Sequence, residues 1–173
     1  EPFEQIQLVA ASVVDATLKA YRQIEHRDWV PIEMAEQEIE LGVRRPGEED
    51  LARAKEILQQ AGPGPYSDRT HIYARETVLL SEYPATVKAR IQAIRIGELG
   101  IASSPCETFV ETGLAVKELS PLEPTFVIEL ANGYNGYLPT PEHHKLGGYE
   151  TWRARSSYLA ETAEPKIRRT ILE

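Results

Sequence analysis

The chain has 173 residues, 42% apolar and 27% charged, the balance of a globular protein with room for one domain. Nineteen basic against 27 acidic side chains leave a net charge of −8, which argues against a nucleic-acid or anionic-membrane surface, since both need clustered positive charge. The single cysteine, Cys106, excludes an internal disulfide and a multi-thiolate zinc site, and no apolar run approaches the roughly 18–20 residues that span a bilayer.

Ile6, Val9, Ala10, Val13, Val14, Thr17, Leu18, Tyr21 and Ile24 recur at three- and four-residue steps, which predicts an amphipathic helix over 6–24. From Trp29 to Val43 the alternation changes phase: Val30, Ile32 and Met34 share one phase, Ile39, Leu41 and Val43 the other. A long strand with a bulge is expected. Arg45-Pro46-Gly47 reads as a turn, and acidic Glu48, Glu49 and Asp50 then open a helix that Gly62 ends. Ser67 or Asp68 caps the next helix, which Pro84 closes.

Val87, Ala89, Ile91 and Ala93 alternate with polar residues as a half-solvated strand, Ile94 and Ile96 change phase, and Leu99 to Ala102 forms a second strand after a Gly97 turn. Ser103-Ser104-Pro105 leads into a helical stretch with Phe109, Val110, Leu114 and Val116. The run Thr125–Leu130 has the apolar, β-branched profile of a central strand. A turn-rich loop follows over 132–141, and 155–173 reads as helical with a break at Pro165. Both ends stand close to amphipathic patterns and read as cut. The expectation is a mixed α/β fold, a layered mixed sheet with packed helices, over 1–173 as a single domain that is part of a larger catalytic domain.

Serine-hydrolase elbows, P-loops, dinucleotide fingerprints and HExxH are all missing. His143-His144 beside Glu142 invites a metal reading, but adjacent residues point in different directions, and the pair is read as part of a solvated loop. His26 and His71 sit in polar surroundings and read as structural or surface residues. Glu107 stands where a strand gives way to a helix; by residue physics alone it is a carboxylate favoured by the helix N-terminus. Tyr134 and Tyr137 lie on a glycine-rich loop after a buried-type strand, where they either bind a ligand or pack under the loop. Gly147-Gly148-Tyr149 and Trp152 add flexible glycines and two aromatics. Glu107, the tyrosine loop and Tyr149 are candidates for one assembled site, beside their structural readings, and these residues alone do not name its reaction.

Pro105-Cys106-Glu107-Thr108-Phe109, with Gly113 six residues after the glutamate, resembles the P-G-E-x-T/F-x-x-x-G segment of neutral/alkaline (non-lysosomal) ceramidases. The stretch Ala131–Glu142 is similar to that family's Y-x-x-Y-[VIL]-x-T-x-E-E loop, and Gly148-Tyr149-Glu150 to the Y-E step after it. These motifs occur in order within 103–152, while residues 1–100 are similar in layout only. The resemblance implies a zinc-dependent amidase acting on a lipid-like N-acyl amide such as N-acylsphingosine. It places zinc on Glu107 and on Tyr137, with an offset to Tyr134 as the alternative, and two histidines upstream of residue 1 complete the shell. Tyr149 falls on the tyrosine that holds or polarises the amide carbonyl.

Cys106 replaces the family glycine before the glutamate, and the interval from Glu107 to Tyr137 is shorter than in better-known members. The preceding part of the same catalytic domain is the implied partner, and a secreted or periplasmic setting is implied by the same resemblance. Without the upstream histidines, the 173 residues are expected to be inactive alone even with zinc. The competing expectation is a non-catalytic binding or scaffold domain that keeps the fold.

Overall fold

The computed structural model describes residues 3–173, which fall into two compact units, one ending at Val30 and one over Pro31–Glu173. In the first, the apolar spacing forms helix α1, Glu4–Tyr21. None of its residues is buried, and Ile6, Val9, Val13 and Leu18 stand exposed.

The second unit begins with β1 (Ile32–Gly42), α2 (Glu48–Ala61), α3 (Arg69–Ser81), β2 (Thr86–Ile96) and β3 (Leu99–Ser103). It continues with β4 (Glu107–Thr108), α4 (Val110–Leu119), β5 (Thr125–Ile128), β6 (Tyr137–Leu138), α5 (Pro141–Leu146) and α6 (Ala163–Leu172). A mixed sheet runs β1-β2-β3-β5, antiparallel except for the parallel β3–β5 pair, and β4 pairs in parallel with β6 beside it. Among the described residues the architecture is mixed α/β, with six α-helices and a four-stranded mixed sheet.

Local chemistry explains most boundaries. Asp68 caps α3 by accepting a hydrogen bond from the Thr70 N–H at 2.8 Å, and Gly62 ends α2 at φ 72°. Four expectations need correcting. β1 carries no bulge: its register with β2 runs one-to-one from Ile32↔Ile96 to Gly42↔Thr86. The change of phase is a change of face. Ile39 and Leu41 lie with Ala89 and Val87 in the core, whereas Ile32 and Met34 lie with Ile96 and Ile94 on the opposite face. β5 is an edge strand rather than a central one, because it pairs with β3 alone, and Phe126 and Ile128 are exposed. Pro165 does not break the last helix. It lies in the first turn of α6, where its missing N–H has no intrahelical partner to lose, and 155–162 is irregular chain. The loop over 132–141 contains β6 and runs into α5.

The core lies between one face of the sheet and the elements packed on it. Ile39, Leu41, Ala89 and Ile91 meet Leu80 of α3, Leu138 of β6, Ala163 and Ile167 of α6, and Tyr158 and Leu159 from the irregular segment. Leu80, Leu138 and Ile167 are completely or almost completely buried, each contributing about 1.5–3 kcal/mol by burial. The buried Glu164 carboxylate accepts from Thr112 Oγ1 and Arg168 Nε, both at 2.9 Å, and so fastens α6 to α4. No described helix is long and apolar enough to cross a membrane.

Candidate functional site

The short β4–β6 ladder is where the sequence-derived site residues meet. Glu107 is directly opposite Tyr137, and Thr108 opposite Leu138. Paired residues in a ladder project from the same face, so the Glu107 and Tyr137 side chains share one face while Leu138 occupies the other and enters the core. Alternation also turns Cys106 inward: it is fully buried, and burial pushes its thiol pKa up to about 12. Glu107 therefore lies in a strand and not at a helix N-terminus; α4 begins three residues later with Phe109 at its cap position.

Backbone bonds fix this ladder. The Glu107 N–H donates to the Gly136 carbonyl at 2.9 Å, the Asn135 N–H to the Pro105 carbonyl at 2.7 Å, and the Tyr137 N–H to the Ser156 carbonyl at 2.8 Å. Gly136 adopts φ 72°, and a Cβ there would collide with the Ser156 backbone, so the chain can turn and approach Ser156 only with glycine.

Tyr149 completes the group. It opens a short 3-10 turn, Tyr149–Thr151, after Gly147 and Gly148 at φ 83° and 116°. Its ring meets the Tyr137 ring edge-on, with centroids 5.6 Å apart and planes at 86°. A hydrogen bond to Tyr149, then burial, then the charge of Glu107 push the Tyr137 phenol pKa up to about 12. The Trp152 N–H donates to the Tyr149 carbonyl at 3.2 Å, while its ring packs edge-on against Tyr73 of α3 at 5.3 Å, beneath the Arg69 guanidinium.

Tyr134 lies outside the paired strands and is exposed. His143 and His144 are on α5 and half-buried, not in a solvated loop. His143 Nδ1 is 2.7 Å from the Thr140 hydroxyl and its ring lies 4.2 Å from that of Phe109, so it ties α5 to the start of α4. Burial, then the positive charge of Arg44, hold the His144 pKa below its ordinary value. Glu142 is exposed and pairs with Lys145 at 3.3 Å. His26 is exposed in the first unit, and His71 lies on α3, 3.6 Å from Asp68.

Sequence reading missed the residues that hold the Tyr149 segment. Arg44, just beyond β1, donates from Nη1 to the Thr151 carbonyl at 2.8 Å and from Nη2 to the Ser157 carbonyl and hydroxyl at 2.7 and 2.9 Å. Glu76 of α3 takes a two-pronged contact from Arg155 at 2.8 and 2.9 Å. Neither belongs to a motif, and both contacts join residues more than 75 positions apart.

No protein-family model matches the sequence, and no curated protein matches it either. Among solved structures, the chain superposes on neutral ceramidase from Pseudomonas aeruginosa with a TM-score of 0.51 at 17% identity, over 82% of this chain and 27% of that one. The fold is ceramidase-like. A ceramidase complexed with C2 is also similar, at 20% identity and a TM-score of 0.44, over 70% of this chain and 20% of that one. The chain thus spans about a quarter of the length of the Pseudomonas protein.

Among the described residues, no three His, Cys, Asp or Glu side chains gather as a metal site. For the zinc implied by the sequence resemblance, the ceramidase-like unit offers two oxygen donors, a carboxylate and a phenol from register partners on one face. Hard oxygen donors of this kind fit part of a zinc shell, and a phenol held near pKa 12 would need an adjacent cation to ionise near neutrality.

Proposed function

We propose that this chain supplies one wall of the active site of a zinc-dependent amide hydrolase acting on a lipid-like N-acyl amide. The observation that carries the reading is the β4–β6 register: residues 30 positions apart, a carboxylate and a phenol, stand side by side with Tyr149 against the phenol. A scaffold domain places no demand for these residue types at paired positions on one face.

In this reading Glu107 and Tyr137 would hold the metal, together with histidines that this chain does not provide. Zinc supplies Lewis-acid polarisation of an amide carbonyl and lowers the pKa of a bound water. The chain's own part is positional. Glu107 presents a charged oxygen from a strand fixed on both sides by backbone bonds. Tyr149 presents a hydroxyl from a segment hinged at Gly147-Gly148, where it can donate a hydrogen bond to a carbonyl oxygen as that atom gains negative charge. Cys106 takes no part, because its thiol is buried in the core and neutral.

The experiment is metal analysis and N-acylsphingosine hydrolysis by the full-length protein and two variants. Tyr149→Phe is expected to lower kcat and kcat/KM together, on the order of 10–1,000-fold, with zinc content unchanged. Tyr137→Phe is expected to lower zinc content as well as rate. The 173-residue chain alone is expected to be inactive with zinc added. A fully active Tyr149→Phe enzyme removes the catalytic role, and zinc-dependent turnover by the isolated chain removes the residue assignment.

A further inference from the structure

The segment from Tyr149 to Ser157 touches the candidate site twice. At its start it carries Tyr149, whose ring meets Tyr137, and near its end the Ser156 carbonyl accepts the Tyr137 N–H. On its N-terminal side the segment follows two glycines with positive φ, and its bonds there are local, from the Gly147 N–H to the His143 carbonyl and from Thr151 to the Gly148 carbonyl. The side-chain contacts that tie it to distant parts of the fold fall after Tyr149, at Thr151, Arg153, Arg155 and Ser157.

Of these contacts the one from Arg44 lies nearest to Tyr149 along the chain. Its guanidinium bridges the Thr151 carbonyl, two residues after Tyr149, and both the carbonyl and hydroxyl of Ser157. The Ser157 hydroxyl in turn donates to the Glu150 carbonyl, so the two peptide oxygens that follow Tyr149 are both bound in one connected network. The Arg44 backbone is held as well, its N–H donating to the Tyr158 carbonyl at 2.7 Å, and neighbouring Val43 pairs with Leu159. The arginine thus extends rigidly from the end of β1. Its Nε is buried without a partner among the described residues, a desolvation cost accepted at this position.

We propose that Arg44 is a positioning residue of the candidate site: by bridging Thr151 and Ser157 it sets Tyr149 against Tyr137. The inference rests on the amidase reading for its kinetic consequence, but its structural consequence stands apart from it. Lysine cannot replace arginine here, because a single ammonium lacks the planar fork that reaches two carbonyls in different directions.

The test uses the full-length enzyme with Arg44→Lys and, as a control for general destabilisation, Glu164→Gln, which weakens the contact between α6 and α4 without touching the segment that carries Tyr149. Melting temperature, zinc content, kcat and KM are measured, together with the Tyr137–Tyr149 ring proximity by NMR with labelled tyrosine. Arg44→Lys is expected to weaken the ring contact and to lower kcat on the order of 10–100-fold with KM and zinc content nearly unchanged, the signature of a misplaced group. Glu164→Gln is expected to keep kcat and the ring contact at an equal or greater loss of melting temperature. An unchanged ring contact in Arg44→Lys overturns the proposal, as does an equal fall of kcat in Glu164→Gln. A weakened ring contact combined with a silent Tyr149→Phe variant upholds the anchoring and removes instead the catalytic reading of Tyr149.

Discussion

Two residues next to the candidate site are governed by what surrounds them rather than by their own chemistry. Cys106 directly precedes Glu107, yet strand alternation turns it into the core, where burial raises its pKa to about 12. Thiolate is the reactive form, so native protein at pH 8 should resist iodoacetamide, with full labelling only after denaturation, as read by mass spectrometry. Gly136 shows the opposite constraint. At φ 72°, alanine would suffer the left-handed penalty of about 1–2 kcal/mol, and its methyl would meet the Ser156 backbone. Gly136→Ala should therefore destabilise the protein by about 2 kcal/mol or more in urea denaturation. It should also loosen the Glu107–Gly136 and Tyr137–Ser156 bonds, seen as faster hydrogen exchange at both amides.

At the level of elements, the site depends on strands only two residues long. A two-residue ladder has little stability of its own, and β6 is held by Leu138, which projects opposite Tyr137 into the core at 1% exposure. Leu138→Ala should cost about 2–5 kcal/mol, the range for a buried leucine truncated to alanine, measured by chemical denaturation. Because Tyr137 rides on the same strand, that loss should exceed the cost of Tyr137→Phe, which removes one hydroxyl from a half-buried position. The same reasoning explains why α5 matters. Thr140 caps it, and His143 joins it to Phe109, so the chain leaving β6 is fixed within a few residues of Tyr137.

Across the whole second unit, stability should fall on acidification in two stages. Burial and the Arg44 charge lower the folded pKa of His144 from 6.5, so the unfolded chain takes up a proton first and stability begins to fall below about pH 6.5. Glu76 follows. Its hydrogen bonds to Arg155 outweigh burial and hold its pKa below 4.5, so its contribution is complete above that value and is lost as pH falls through the lower folded pKa. Melting temperature measured from pH 8 to pH 3 should show both stages. His144→Asn should flatten the upper one, and Glu76→Gln should shrink the lower one, to which Asp68 and Glu38 also contribute, while lowering the melting temperature at neutral pH.

Much of this protein was legible in the order of its residues because local forces act within a few positions. Helix periodicity, the Asp68 cap, the Gly62 stop and the alternation of Val87 to Ala93 all hold in the fold. The motif residues Glu107, Tyr137 and Tyr149 were also visible, since their spacing lies on the chain itself. What the chain order left open was decided by pairing partners. The change of phase in β1 looked like a bulge because alternation shows that a face has changed, but only register with β2 shows that no residue was skipped. Thr125–Ile128 looked central because composition measures apolarity and not the number of neighbouring strands. The Arg44 bridge to Thr151 and Ser157, and the Glu76–Arg155 contact, left no trace in the sequence. A lone arginine or glutamate has no periodicity, and its role exists only once folding brings the end of β1 and the side of α3 to the segment that carries Tyr149.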